Sequence, residues 1–214
     1  MSTEHLETIF DADRRLREAE AALLQTPRKA LATLLADAVD EAVALDDRAE
    51  AEMRLERLAD LCAQVPGPAM ADALIRILDD HEPRVRVAAG EALLDVAYDY
   101  YAEVARAIER SLDAGSQVRA LAELPFLLVE VGEPSAGPLL RRFLAHPDAH
   151  VVAAATEAAA DLGEESLADA IEQLLGDTRD VTLDELEDGT GATVGQLAME
   201  ALGRLRPSIH EDLG

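Results

Sequence analysis

A chain of 214 residues with 44 acidic against 19 basic side chains carries a formal charge of −25, and 49% of it is apolar although aromatic residues make up only 3%. That much aliphatic residue excludes a disordered chain, and the scarcity of β-branched and aromatic residues excludes a sheet protein. Such acidity argues against unaided binding to nucleic acid or to an anionic membrane face, because like charges would have to meet.

The 41 alanines and 33 leucines dominate the pattern from end to end. Residues 1–25 are expected to form an amphipathic capping helix, with Leu6, Ile9, Phe10, Leu16 and Leu23 closing the end of a helical stack. Residues 27–65 look like a degenerate helix pair, carrying Ala30, Leu31, Leu34 and Leu35 on one helix and Leu55, Leu58 and Leu61 on the next. From residue 68 to 206 the pattern becomes periodic. The segments 80–96, 114–132 and 146–163 align on Val85, Val118 and Val151, which are 33 residues apart. Leu78, Leu112 and Leu144 end the helices that precede them. In the first segment Val85, Ala88, Ala89, Ala92, Leu93 and Val96 follow the i, i+3, i+4, i+7 spacing of one helix face. Small alanines let neighbouring helices approach closely, so a chain poor in aromatics can still pack densely. A fourth unit, residues 167–205, is interrupted by an acidic insert at 181–191, and 207–214 form a tail. No Gly/Ser linker divides the chain, which reads as one domain.

Leu78, Asp79-Asp80, Pro83, Val85-Arg86 and the alanine-rich run to Leu93 resemble the HEAT repeat in its bacterial and archaeal, phycobilisome-lyase-like form. The resemblance implies an all-α fold, a right-handed α-solenoid of about five antiparallel helix pairs roughly 40–50 Å long. It covers residues 68–206, with departures. Gly115-Ser116 stand where the second unit should have a proline turn, and Val152 replaces the arginine of the third.

Enzymatic relatives of that fold leave testable marks. Those resembling deoxyhypusine hydroxylase hold iron with His-Glu pairs just after the Val-Arg, where this chain has Val87-Ala88, Ala120-Leu121, Ala153-Ala154 and Gln196-Leu197. Glycosylases of this type need a basic, aromatic groove for DNA, which six aromatic residues and a −25 charge do not supply. His81-Glu82 and His210-Glu211 fall in a turn and a tail. His146 and His150 have zinc-ligand spacing, but Pro147 separates them, and both are expected to be solvent-exposed. In the insert, Asp184, Glu185, Glu187, Asp188 and Gly189 match a calcium loop only in part, since Leu186 and Gly195 occupy ligand positions. Cys62 lies at core spacing one turn from Leu58, and the Gly189-Thr190-Gly191 stretch lacks a phosphate-loop lysine. Neither a catalytic residue, a cofactor nor a metal is expected.

A partner is expected on the second helices, which line the concave face in the resembled family. In the 33-residue register, Glu91, Asp95, Glu157 and Asp161 flank Leu124 and Leu128, so the two leucines would form an apolar spot on an acidic surface unless Pro125 rotates them inward. Tyr98, Tyr100 and Tyr101 cluster in a turn between helices, one as a packing anchor and another as a contact. The expected function is a non-enzymatic protein-binding scaffold, cytoplasmic, monomeric or weakly dimeric. An acidic inhibitor mimicking nucleic acid and an accessory subunit of a bilin lyase are the alternatives. Of the 19 bases 18 are arginine, a bias that a GC-rich genome or a salt-rich cytoplasm would each produce.

Overall fold

The computed structural model describes residues 3–181 and 191–206. Among these residues the chain is all-α, with ten helices and one short two-stranded ribbon. The helices are α1 (Thr3–Leu23), α2 (Arg28–Val43), α3 (Arg48–Ala63), α4 (Pro68–Leu78), α5 (Pro83–Ala114), α6 (Val118–Val131), α7 (Ala136–Leu144), α8 (Ala149–Leu162), α9 (Ala168–Glu172) and α10 (Val194–Leu205). The ribbon joins β1 (Asp180–Val181) to β2 (Ala192–Thr193), antiparallel, at the base of the acidic insert. Residues 182–190, and with them the calcium-loop reading of Asp184 to Gly189, lie outside the described residues.

Helix boundaries follow local chemistry. Pro68 and Pro83 open α4 and α5, where a missing N–H costs nothing. Gly115, Gly132 and Gly163 close α5, α6 and α8 in the left-handed conformation, at φ 63°, 67° and 68°. Asp148 caps α8 by accepting the His150 N–H at 2.9 Å, and Thr193 and Gln196 cap α10 reciprocally. α6 has no cap of its own. Asp79, at the end of α4, accepts the Arg119 and Ala120 N–H groups at 2.9 and 3.1 Å and caps it from outside. The adjacent Asp80 binds Arg48 of α3 through both carboxylate oxygens, at 2.8 and 3.0 Å. One Asp-Asp turn thus holds a preceding and a following element.

α5 is broken at Tyr100 (φ −134°, ψ 40°), so it serves as two helices in succession. The break falls within Tyr98–Tyr101, where a turn between two helices is expected, but it takes the form of a kink rather than a turn. One row of packed neighbours runs α3, α5, α6, α8, α10, and a second joins α2 to α4, α5 to α7 and α7 to α9. Between the rows lies an aliphatic core in which Phe143 is the largest fully buried side chain. The second row is also stitched by Asp–Arg pairs, Asp40–Arg76 and Asp72–Arg110 at 2.8 Å and Asp113–Arg142 at 2.5 Å. In the last unit Gly195 is obligatory for packing, since a Cβ there would meet the Leu175 carbonyl at 2.7 Å and the Asp177 carbonyl at 2.9 Å.

Two expectations are corrected by packing. α1 buries no residue and does not cap the stack; only Leu23 of its last turn and Leu24 in the link to α2 pack against the core. The uniform 33-residue register is also wrong. Counted from the start of each helix, Val85, Ala120 and Val151 are all third residues, so the offsets are 35 and 31. In that register Leu124 matches the buried Ala89 and Ala155, and Leu128 matches the buried Leu93 and Ala159. Both leucines are fully buried, although α6 runs on through Pro125. The exposed leucine pair is therefore not a surface feature of this protein.

Candidate functional site

Counted from the helix starts, the position equivalent to Glu91 and Glu157 falls two residues beyond Leu124. The ninth residue of α5 is Glu91 and that of α8 is Glu157; in α6 it is Phe126. Phe126 is 38% exposed, at a place where the neighbouring helices present carboxylates, and Val87 on α5 is 59% exposed beside it. Both belong to a cleft of about 440 Å³ between the first half of α5 and α6. α5 contributes Val87, Gly90, Glu91 and Leu94, and α6 contributes Glu123, Phe126, Leu127 and Glu130, the same i, i+3, i+4, i+7 set from each. Leu78 forms part of the base. A Cβ on Gly90 would come within 3.8 Å of the Leu78 side chain, so a larger residue there would fill part of the cleft.

Charge is arranged around this apolar floor. Glu91, Glu123 and Glu130 are exposed at the rim. Arg86 lies across one end, 3.6 Å from Glu123, and donates to the Asp80 and His81 carbonyls at 3.3 and 2.9 Å. Three carboxylates against one committed guanidinium leave the rim negative. A rim of this charge attracts cations and repels carboxylates.

Of the partner-binding residues expected from sequence, only Glu91 lines this cleft. Asp95 and Glu157 are exposed on their own helices, and Asp161 pairs with Arg204 of α10. Tyr100 is exposed at the kink, while Tyr101 is half-buried against the core, where burial pushes its hydroxyl above the ordinary tyrosine range. Leu124 and Leu128 lie beneath the cleft. Val87 and Phe126 were missed because the valine-anchored alignment compared unequal helix positions.

Away from the cleft, the titratable side chains of Cys62 and His146 are buried. Cys62 is fully buried, as its spacing implies, and burial pushes the thiol up to about 12. His146, expected in solvent, is buried: its Nδ1 accepts the Asp148 N–H at 3.1 Å, and Arg179 reaches over the turn to the Pro147 carbonyl at 2.6 Å. His150 is exposed, as expected, and so is His81 in its turn. Among the described residues no group of three or more His, Cys, Asp or Glu side chains is placed to hold a metal ion. A second cleft, of about 530 Å³, contains Arg48, Arg76 and Arg119, but Arg48 is bound to Asp80 and Arg76 to Asp40. A third, between α2, α4 and the second half of α5, is crossed by the Asp72–Arg110 pair. No helix among the described residues is long and apolar enough to cross a membrane.

No family model matches this chain, and comparison with curated proteins likewise finds no match.

Proposed function

We propose that this chain is a HEAT-type α-solenoid, right-handed, acting as a non-enzymatic scaffold that takes a segment of a partner protein in the α5–α6 cleft. The two packed rows of helices support the solenoid, together with the Asp-Asp turn that holds consecutive units. One observation carries the binding reading: Val87 and Phe126 are exposed on an apolar floor whose rim is Glu91, Glu123 and Glu130. Exposed apolar surface rimmed by charge marks interaction sites, and aromatic residues dominate their energetics. The segment that fits presents a large apolar side chain between Lys or Arg residues.

The test is a selection of displayed peptides on the full chain, followed by affinity measurement of the winners. Enrichment of apolar residues flanked by Lys or Arg is expected. Phe126→Glu should leave the melting temperature within the small shift of an exposed substitution, roughly 0.5 kcal/mol, and should cost at least about 2 kcal/mol of binding. Equal binding by Phe126→Glu, or selection of acidic peptides, would sink the proposal.

A further inference from the structure

The N-terminal helix is the one long element that the rest of the described protein leaves uncovered. Leu6, Ile9, Phe10 and Leu16 are 49%, 60%, 50% and 38% exposed, and no residue of the 21-residue α1 is buried. Its C-terminal end is fixed by Leu23 and Leu24 on the core and by Glu20, 3.1 Å from Arg57 of α3. In proteins most of a helix's stability comes from packing one amphipathic face, and α1 lacks that packing over most of its length. Along that face Ile9, Ala12, Leu16, Ala19 and Leu23 recur at spacings of three and four, alternating large and small.

Charge identifies what covers it. The first half of α1 carries Glu4, Glu7, Asp11 and Asp13 and no Lys or Arg, whereas the next turn carries Arg14, Arg15 and Arg17. A parallel pair of such helices sets acid against acid. An antiparallel pair sets each acidic half against the arginines of the other copy, and its twofold axis falls near residue 14. That axis places Ile9 of each copy against Ala19 of the other, large against small. On one edge of the stripe it also leaves Asp13 of each copy only about 3 Å along the axis from Arg17 of the other, within reach of the long guanidinium side chain. Within one copy these side chains already pair, Asp13 with Arg17 at 2.5 Å and Asp11 with Arg14, but all four are exposed and such pairs hold little energy. A membrane surface fits less well: six acids against three arginines, and no tryptophan, are the reverse of an interfacial helix.

We propose that α1 is a dimerisation element, pairing antiparallel with α1 of a second copy of this chain through Leu6, Ile9, Ala12 and Leu16. The interface is self-complementary and closed, shares no residue with the α5–α6 cleft, and stands or falls independently of what that cleft binds. Because one helix pair about 32 Å long is a small interface, association is concentration-dependent.

Sedimentation equilibrium of the full chain from about 1 µM to about 1 mM should show a monomer–dimer equilibrium. Ile9→Asp with Leu16→Asp should raise the dissociation constant at least about 30-fold while leaving the melting temperature of the helical body unchanged. Asp13→Arg alone and Arg17→Asp alone should each weaken the dimer by about fivefold, and the two together should restore it. A wild-type chain monomeric throughout would overturn the proposal, and so would a dimer unaffected by the Ile9/Leu16 change. Two further results would overturn it by assigning the face elsewhere. One is co-flotation of monomeric protein with phosphatidylcholine–phosphatidylglycerol vesicles, which assigns it to lipid. The other is a lower melting temperature in the Ile9/Leu16 variant without a change in mass, which assigns it to the chain's own body.

Discussion

His146 is buried in a turn with Arg179 folded over it, and the consequence is a pH dependence of definite sign. Burial holds its imidazole below the ordinary histidine range; Asp148 opposes that shift and Arg179 adds to it. The folded chain therefore keeps the ring neutral where the unfolded chain would accept a proton. Stability from this residue is complete above about pH 6.5 and declines as pH falls below it. Thermal melts between about pH 7.5 and about pH 5.5 should show a loss of stability on acidification, and His146→Asn should flatten that slope. Asparagine keeps an oxygen to accept the Asp148 N–H and removes the titration. An equal slope in both proteins would show that other groups carry the effect. The burial of Cys62 was legible in sequence because its whole stripe lies on one helix. That of His146 was not, because the arginine that covers it arrives 33 residues later from the turn before β1. Leu124 and Leu128 pose a separate test. Glutamate at both would place two carboxylates in the core, and the protein should lose its cooperative melt, in contrast to Phe126→Glu two residues away on the opposite face of the helix.

Among the elements, α6 depends on a carboxylate that is not its own. Asp79 accepts two N–H groups of its first turn across a sequence distance of 40 residues. Removing an N-cap acceptor costs about 0.5–2 kcal/mol. Asp79→Ala should fall in that range by chemical denaturation, and Asp79→Asn, which retains an acceptor, should lose much less. Hydrogen exchange should locate the loss in the first turn of α6. A uniform increase in exchange across all helices would contradict the capping role. Helix ends were readable from Pro68, Pro83, Gly132 and Gly163, since each sets backbone geometry locally. The register between helices was not. Val118 resembles Val85 in type, but α6 begins at Val118 itself whereas α5 begins two residues before Val85. Residue identity repeated where geometry did not, and the cleft residues Val87 and Phe126 disappeared into that gap. The reading of α1 as a cap erred differently: an apolar stripe shows that a face needs a partner, and nothing local says whether that partner is the same chain.

For the molecule as a whole, two electrostatic effects oppose each other, and their balance can be measured. The Asp–Arg pairs along the second row of helices attract, but they are exposed, and each is worth about 0–1 kcal/mol. Against them stands the mutual repulsion of a chain with 25 more acids than bases, spread over both halves at −11 and −14. Repulsion of this kind acts over many pairs at long range, whereas each attraction acts over one short contact. Raising KCl from about 0.01 M to about 1 M shortens the screening length from about 30 Å to about 3 Å, which removes distant repulsion almost completely and weakens the contact pairs only in part. The melting temperature should therefore rise with KCl. Chloride is the right anion for the experiment, because sulfate would also strengthen apolar burial. A steep rise would fit a protein adapted to a salt-rich cytoplasm, and a shallow one a surface whose acidity mainly maintains solubility. A fall would mean that the arginine pairs outweigh the repulsion. In that case Asp72→Asn, which removes one pair and one negative charge together, should destabilise the protein at low salt, where repulsion dominance would have it neutral or stabilising.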